Sequence, residues 1–124
     1  ENVGDDPGEV EAMVPVELGG EAVQIAVGGA TTCAVLNTGD ARCWGGVTFD
    51  VGRSETIGDE PGEMGQHLGS SNASLGKVKK IACLFHTCMV LEGDQVACAG
   101  WSRGGQLGQG RFTDFGSFQV IDMV

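Results

Sequence analysis

The sequence predicts an all-β array of two like units, and three observations carry that prediction. A cysteine hairpin is written twice. Ile25–Leu36 leads through a turn to Cys43-Trp44-Gly45, and Ile81–Leu91 leads through a turn to Cys98-Ala99-Gly100. Within each copy the cysteines are ten positions apart, and the copies are offset by 55 residues. A period of that size marks a modular array, whose units bury their apolar faces against neighbours. Short apolar runs are bounded by Gly, Asn and Asp, which suits strands. With 22 glycines in 124 residues, the chain sustains no uninterrupted helical stripe.

Strands are expected at Val14–Leu18, Val23–Val27, Cys33–Leu36 and Arg42–Trp44, then at Val78–Cys83, Thr87–Leu91 and Gln95–Ala99. If Cys33 faces Cys43, Leu36 faces Asp40 and Asn37-Thr38-Gly39 is a three-residue loop, with Gly39 at the left-handed position such loops require. The same register sets Cys88 against Cys98 and leaves Glu92-Gly93-Asp94 as the loop. Its glycine is central, so the second turn should differ in type. Outside the hairpins, Glu1–Val10 returns as Glu55–Met64, and Val14–Leu18 has a weaker echo at Phe118–Asp122. The chain reads as one module over 1–124. Its first unit spans about 14–64 and its second about 65–117, and 118–124 begin a further strand.

Charge is high and uneven. The net charge is −10, yet residues 65–124 hold four acids and five bases, against 13 acids and two bases in residues 1–64. Nucleic-acid backbones and anionic membrane surfaces are poor partners for such a chain. A basic protein surface fits better, steered by Asp5, Asp6, Glu9, Glu11, Asp59, Glu60 and Glu63. The longest apolar run, Ile81–Leu91, contains His86 and is too short to span a bilayer. The acids between Glu1 and Glu11 are the opposite of a basic secretory leader.

The string Gly28-Gly29, Thr32-Cys33-Ala34-Val35-Leu36, Gly39-Asp40 and Cys43-Trp44-Gly45 resembles the repeat of the RCC1 (regulator of chromosome condensation) family. Gly104-Gly105-Gln106-Leu107-Gly108 is similar to that repeat's Gly-Gln-Leu-Gly turn. The resemblance implies a β-propeller with about one blade per repeat, so the expected fold is two RCC1-like blades of an incomplete propeller with long Gly-rich loops. The copies diverge: Trp44 becomes Ala99, and Gly28-Gly29 becomes Leu84-Phe85 with one residue deleted. Two blades cannot close a ring. The chain is therefore a piece of a longer propeller, a self-associating array, or a subunit covered by partners, and the last two are favoured.

Repeat equivalence and register both favour disulfides Cys33–Cys43 and Cys88–Cys98, because opposed strand residues lie within bridging distance. Such bonds imply an oxidising compartment: extracellular, periplasmic, endoplasmic-reticular or thylakoid-lumenal. Cys83 is left over, as a buried apolar thiol or a link to another chain. No catalytic residue, metal or cofactor is expected. A zinc set of Cys83, His86, Cys88 and Cys98 matches no closed-site spacing. The loops Gly4–Glu9 and Gly58–Glu63 lack the alternating ligands of a calcium hand. Cys88 and His86 could meet on one strand face, but no acid stands by to orient the imidazole. The reading is a non-catalytic interaction module, an RCC1-like extrinsic or scaffolding subunit that binds other proteins. The alternatives are a guanine-nucleotide-exchange type regulator and an inhibitor of a secreted enzyme.

Overall fold

Among the described residues, seven strands and a single 3-10 turn (Gly65–His67) make up the regular structure. The computed structural model describes residues 4–46, 56–72, 75–84, 86–100 and 115–120. Strands β1 (Ala22–Val27), β2 (Thr31–Leu36) and β3 (Ala41–Gly45) form an antiparallel three-stranded sheet in the order β1-β2-β3. Strands β4 (Val78–Cys83), β5 (His86–Leu91), β6 (Val96–Gly100) and β7 (Phe115–Val120) form a four-stranded one in the order β4-β5-β6-β7.

Register follows from the turns. Cys33 stands opposite Cys43, and Cys88 opposite Cys98. In the first hairpin the Leu36 N–H donates to the Asp40 carbonyl at 2.8 Å, and Gly39 takes φ +88°. A side chain there would be strained, which is why glycine closes the loop. The second hairpin keeps the equivalent Leu91–Gln95 bond at 2.8 Å, but both Gly93 and Asp94 have positive φ. The turns therefore differ in type, and Asp94 takes the left-handed place that Gly39 holds in the first. Aspartate is among the few residues that tolerate it. The inner strands share an irregularity as well, because the pairing skips Val23 in β1 and Lys79 in β4.

Val14–Leu18 does not form the expected strand. The segment joins no ladder and makes one backbone bond, from the Gly65 N–H to the Glu17 carbonyl at 2.8 Å, with Val14 81% and Val16 56% exposed and only Leu18 buried. Pro15 lacks the N–H that a ladder needs. The strand expected near residue 118 runs instead from Phe115 to Val120 and pairs with β6, extending the second sheet. The Gln-Leu-Gly turn and residues 121–124 lie outside the described residues.

The sheets pack face to face. On the first, Cys33, Val35, Ala41 and Cys43 are buried; on the second, Val78, Ile81, Met89, Leu91 and Ala97 meet them in one cluster. Burial of such side chains supplies the main stabilisation, roughly 1.5–3 kcal/mol for each fully buried large one. Polar clasps set the spacing. The Gln24 amide donates to the Lys79 carbonyl at 3.0 Å and accepts from the Ile81 N–H at 3.0 Å, so one side chain grips the bent part of β4 at both polarities. The Gly39 carbonyl accepts from the Val78 N–H at 2.8 Å, and the Leu84 carbonyl from the Gly29 N–H at 3.2 Å. A Cβ on Gly28 would lie 2.3 Å from the Leu84 oxygen, so the close approach of the two units requires glycine there. The other face of β2, bearing Ala34 and Leu36, is covered by Leu18, Ile57 and Leu68.

Candidate interaction surfaces

The acidic loops are built twice from one pattern. In the first, Glu9 Oε2 accepts from the Gly4 N–H at 2.7 Å and the Asp6 N–H at 3.1 Å. In the second, Glu63 Oε2 accepts from the Gly58 N–H at 2.7 Å and the Glu60 N–H at 3.2 Å. Gly4 and Gly58 turn their amides inward at φ +103° and +96°, and Gly8 and Gly62 also adopt positive φ. The repeated Gly-Asp-acid-Pro-Gly-Glu string is thus a turn closed by its own last carboxylate. The Gly4 and Gly58 amides, followed by those of Asp6 and Glu60, hold Glu9 and Glu63 below the ordinary carboxylate range.

This separates the seven acids expected to face a partner. Glu9 and Glu63 are half-buried and engaged in the backbone of their own loops, whereas Asp5, Asp6, Glu11, Asp59 and Glu60 are exposed. Asp5, Asp6 and Glu9 bring carboxylate oxygens within 4.8 Å of one another. The turn bonds of Glu9 account for that clustering.

The cysteines are placed by the hairpins. Cys33 is bonded to Cys43 and Cys88 to Cys98, each with Cα atoms 4.1 Å apart. Of the zinc set weighed from the sequence, this leaves only Cys83 and His86 without a sulfur partner, and it removes Cys88 as a nucleophile. Cys83 is half-buried against the inter-sheet cluster, and the Thr87 hydroxyl lies 3.4 Å from its sulfur. Burial pushes its thiol up, partly offset by that hydroxyl.

Three structural side chains escape sequence reasoning. Asn72, buried in the connection between the sheets, accepts from the Ala41 N–H at 2.9 Å and donates to the carbonyls of Gly39 (3.2 Å) and Gly76 (2.6 Å). Arg42 donates to the Leu68 carbonyl, and Gln24 is the clasp described above. Apart from Gly76, four residues from Asn72, their partners lie 26 to 57 residues away, and no local pattern announces such contacts.

Besides the exposed Val10–Val16 segment, apolar side chains are uncovered on both sheets. At one end of the stack, Ile25 and Val27 on β1 are 66% and 65% exposed. At the other, Lys80, Ala82, Cys88, Val90 and Val96 line an open depression of about 310 Å³ on the second sheet. No helix among the described residues is long and apolar enough to cross a membrane.

Comparison with known proteins bears on this architecture. Residues 22–46 match the family model of the Regulator of chromosome condensation (RCC1) repeat. No curated protein matches the chain in sequence. Among solved structures, human WBSCR16 is 19% identical with a TM-score of 0.63, covering 82% of this chain and 26% of its own. Prp20p from Saccharomyces cerevisiae, described with its binding to Gsp1p and histones, is 18% identical with a TM-score of 0.63, covering 89% and 27%. Yeast RCC1 (Prp20) bound to Kap60 gives 20%, 0.63, 89% and 26%. The chain thus spans about a quarter of the length of the structures it matches. It carries RCC1-like repeats folded as two propeller blades, the first recognisable by sequence over 22–46 and the second by its equivalent sheet.

Proposed function

We propose that the chain is a non-catalytic protein–protein interaction module, an RCC1-like extrinsic or scaffolding subunit of a larger assembly. The observation that carries this reading is a two-blade stack whose end faces and acidic loops are open, with the fold of Prp20p, a protein described as binding Gsp1p and histones and solved bound to Kap60. Fold alone does not give function, so the reading rests on these surfaces. A basic partner surface suits the exposed acids Asp5, Asp6, Glu11, Asp59 and Glu60. Two disulfides suit an oxidising compartment. Neither exchange on a guanine-nucleotide switch nor inhibition of a secreted enzyme has a specific observation in its favour.

The test starts from the protein that copurifies with the chain in its native source, identified by mass spectrometry. Association is then followed by stopped flow for the wild type and for a variant with Asp5, Asp6 and Asp59 changed to Asn and Glu11 and Glu60 to Gln. Glu9 and Glu63 are spared because they hold the loops. Slower association with a flatter salt dependence is expected; an unchanged rate and salt dependence overturn the acidic docking surface.

A further inference from the structure

We propose that Asn72 is a conditional N-glycosylation acceptor: the unfolded chain takes a glycan there, the folded chain does not, and a glycan once attached bars the fold. The inference stands apart from the docking reading, because it concerns a buried side chain and no partner surface.

The sequence supplies the acceptor. Asn72-Ala73-Ser74 is an Asn-x-Ser sequon without proline at its centre, the pattern that directs N-linked glycans. Asn2 and Asn37, the other asparagines, have glycine two positions on and do not complete it. Glycosylated sequons ordinarily lie on surface loops, within reach of the transferase. Asn72 is instead 4% exposed.

The fold also uses every hydrogen that the chemistry needs. Asn72 Nδ2 donates to the Gly76 carbonyl at 2.6 Å and the Gly39 carbonyl at 3.2 Å, while its Oδ1 accepts from the Ala41 N–H at 2.9 Å. A side-chain amide has two N–H donors, so both are engaged. The donor in glycan transfer is a lipid pyrophosphate-linked oligosaccharide. The Asn72 nitrogen forms a bond to its anomeric carbon, and the bond from that carbon to the pyrophosphate oxygen breaks. The lipid pyrophosphate leaves with the bonding pair, and the nitrogen gives up one proton. The product keeps a single N–H, so either the Gly39 or the Gly76 carbonyl loses its partner. A sugar ring must also stand where that carbonyl was, in a site as closely packed as a protein interior.

The groups displaced are those that hold the two sheets in place. Ala41 opens β3 and is fully buried. Gly39 closes the first hairpin, and its carbonyl also accepts from the Val78 N–H of the second sheet. A glycan at Asn72 therefore opens the outer edge of the first sheet and loosens its clasp on the second, leaving buried polar groups unpaired. Gly39 and Ala41 both lie within the loop closed by Cys33–Cys43. That bridge presents two of the three partners to Asn72, so blocking the sulfurs frees the acceptor.

The test offers two forms of the 124-residue chain to a purified oligosaccharyltransferase with its lipid-linked oligosaccharide, and mass spectrometry reads the product. One form is oxidised and folded; the other has its thiols reversibly blocked as S-sulfonates, with circular dichroism showing that it is unfolded. A glycan on Asn72 is expected in the blocked chain and its loss in the folded one. Equal transfer to both overturns burial as the gate, and no transfer to the blocked chain overturns the acceptor. Ser74→Ala spares Asn72 and should abolish transfer; glycan persisting in that variant overturns the assignment. Glycosylated and unmodified blocked chains are then refolded side by side in a thiol–disulfide buffer. Protection of the Ala41 amide from hydrogen exchange is expected to return in the unmodified chain alone. Its return in the glycosylated chain overturns the exclusion of glycan by fold.

Discussion

In the second sheet β7 runs beside β6 from Phe115 to Val120, whereas the first sheet meets the same need at two separate points. Ile57 exchanges backbone bonds of 2.8 and 2.9 Å with Gly45 at one end of β3. At the other end the Ser71 N–H donates to the Ala41 carbonyl at 2.8 Å, and the Asn72 side chain accepts from the Ala41 N–H. An outer edge thus needs its groups satisfied, and a fourth strand is only one way to do it. The substitute also does a second task. The connection that supplies these bonds carries Ile57 and Leu68, which cover Ala34 and Leu36, so the first sheet depends on the chain that follows it.

The largest expected effects concern the sulfurs that the two hairpins share. Replacing Cys33 and Cys43, or Cys88 and Cys98, by alanine should cost about 2–3 kcal/mol for loops of this size, read from the denaturation midpoint. The contrast between the sheets lies in access. Cys33 and Cys43 are enclosed between the sheets, while Cys88 faces the open depression. Limiting reductant followed by mass spectrometry should therefore open Cys88–Cys98 first. Equal rates would show that the two cores open equally readily, and the comparison would break. One alkylatable thiol is expected before reduction and five after it.

A smaller effect belongs to the edge substitute. Asn72→Ala leaves the Ala41 N–H and the carbonyls of Gly39 and Gly76 without that side chain, at a cost of about 1–3 kcal/mol. Hydrogen exchange should rise at Ala41 and leave Ala97, beside β7, unchanged. A rise at both would show that the sheets' edges are coupled.

The smallest effect is shared by the loops. The carboxyls of Glu9 and Glu63 are depressed by backbone N–H groups, so their contribution is complete above the unfolded value and fades as pH falls through the folded one. Acidification should release the Gly4 and Gly58 amides together, as seen in their NMR shifts. Gly4 opening well before Gly58 would show that the two turns are not equivalent, despite their matching bonds.

Much of the hairpin architecture was legible because it is local. Periodicity located β1 to β6 within two residues at each end, and turn chemistry set both Cys-opposite-Cys registers. Val14–Leu18 misled because alternating valines look like a strand while its one backbone bond, from Gly65 to Glu17, builds no ladder, and Pro15 removes a donor. The duplicated acidic string was visible as a repeat, but the part played by its last glutamate was not. That role rests on backbone amides turned by glycine, which composition does not display. Gln24 and Asn72 were hidden for a different reason: each joins segments that only the folded chain brings together. The exposed acids could be nominated from charge alone.

Cys83 gives the stack an internal reporter. Its sulfur is half-buried against the cluster joining the blades, beside the Thr87 hydroxyl, and burial pushes the thiol up. A maleimide or similar label gains further access when the blades separate. A rise in its capture rate with denaturant in the oxidised protein therefore reports the parting of the stack, with no engineered probe.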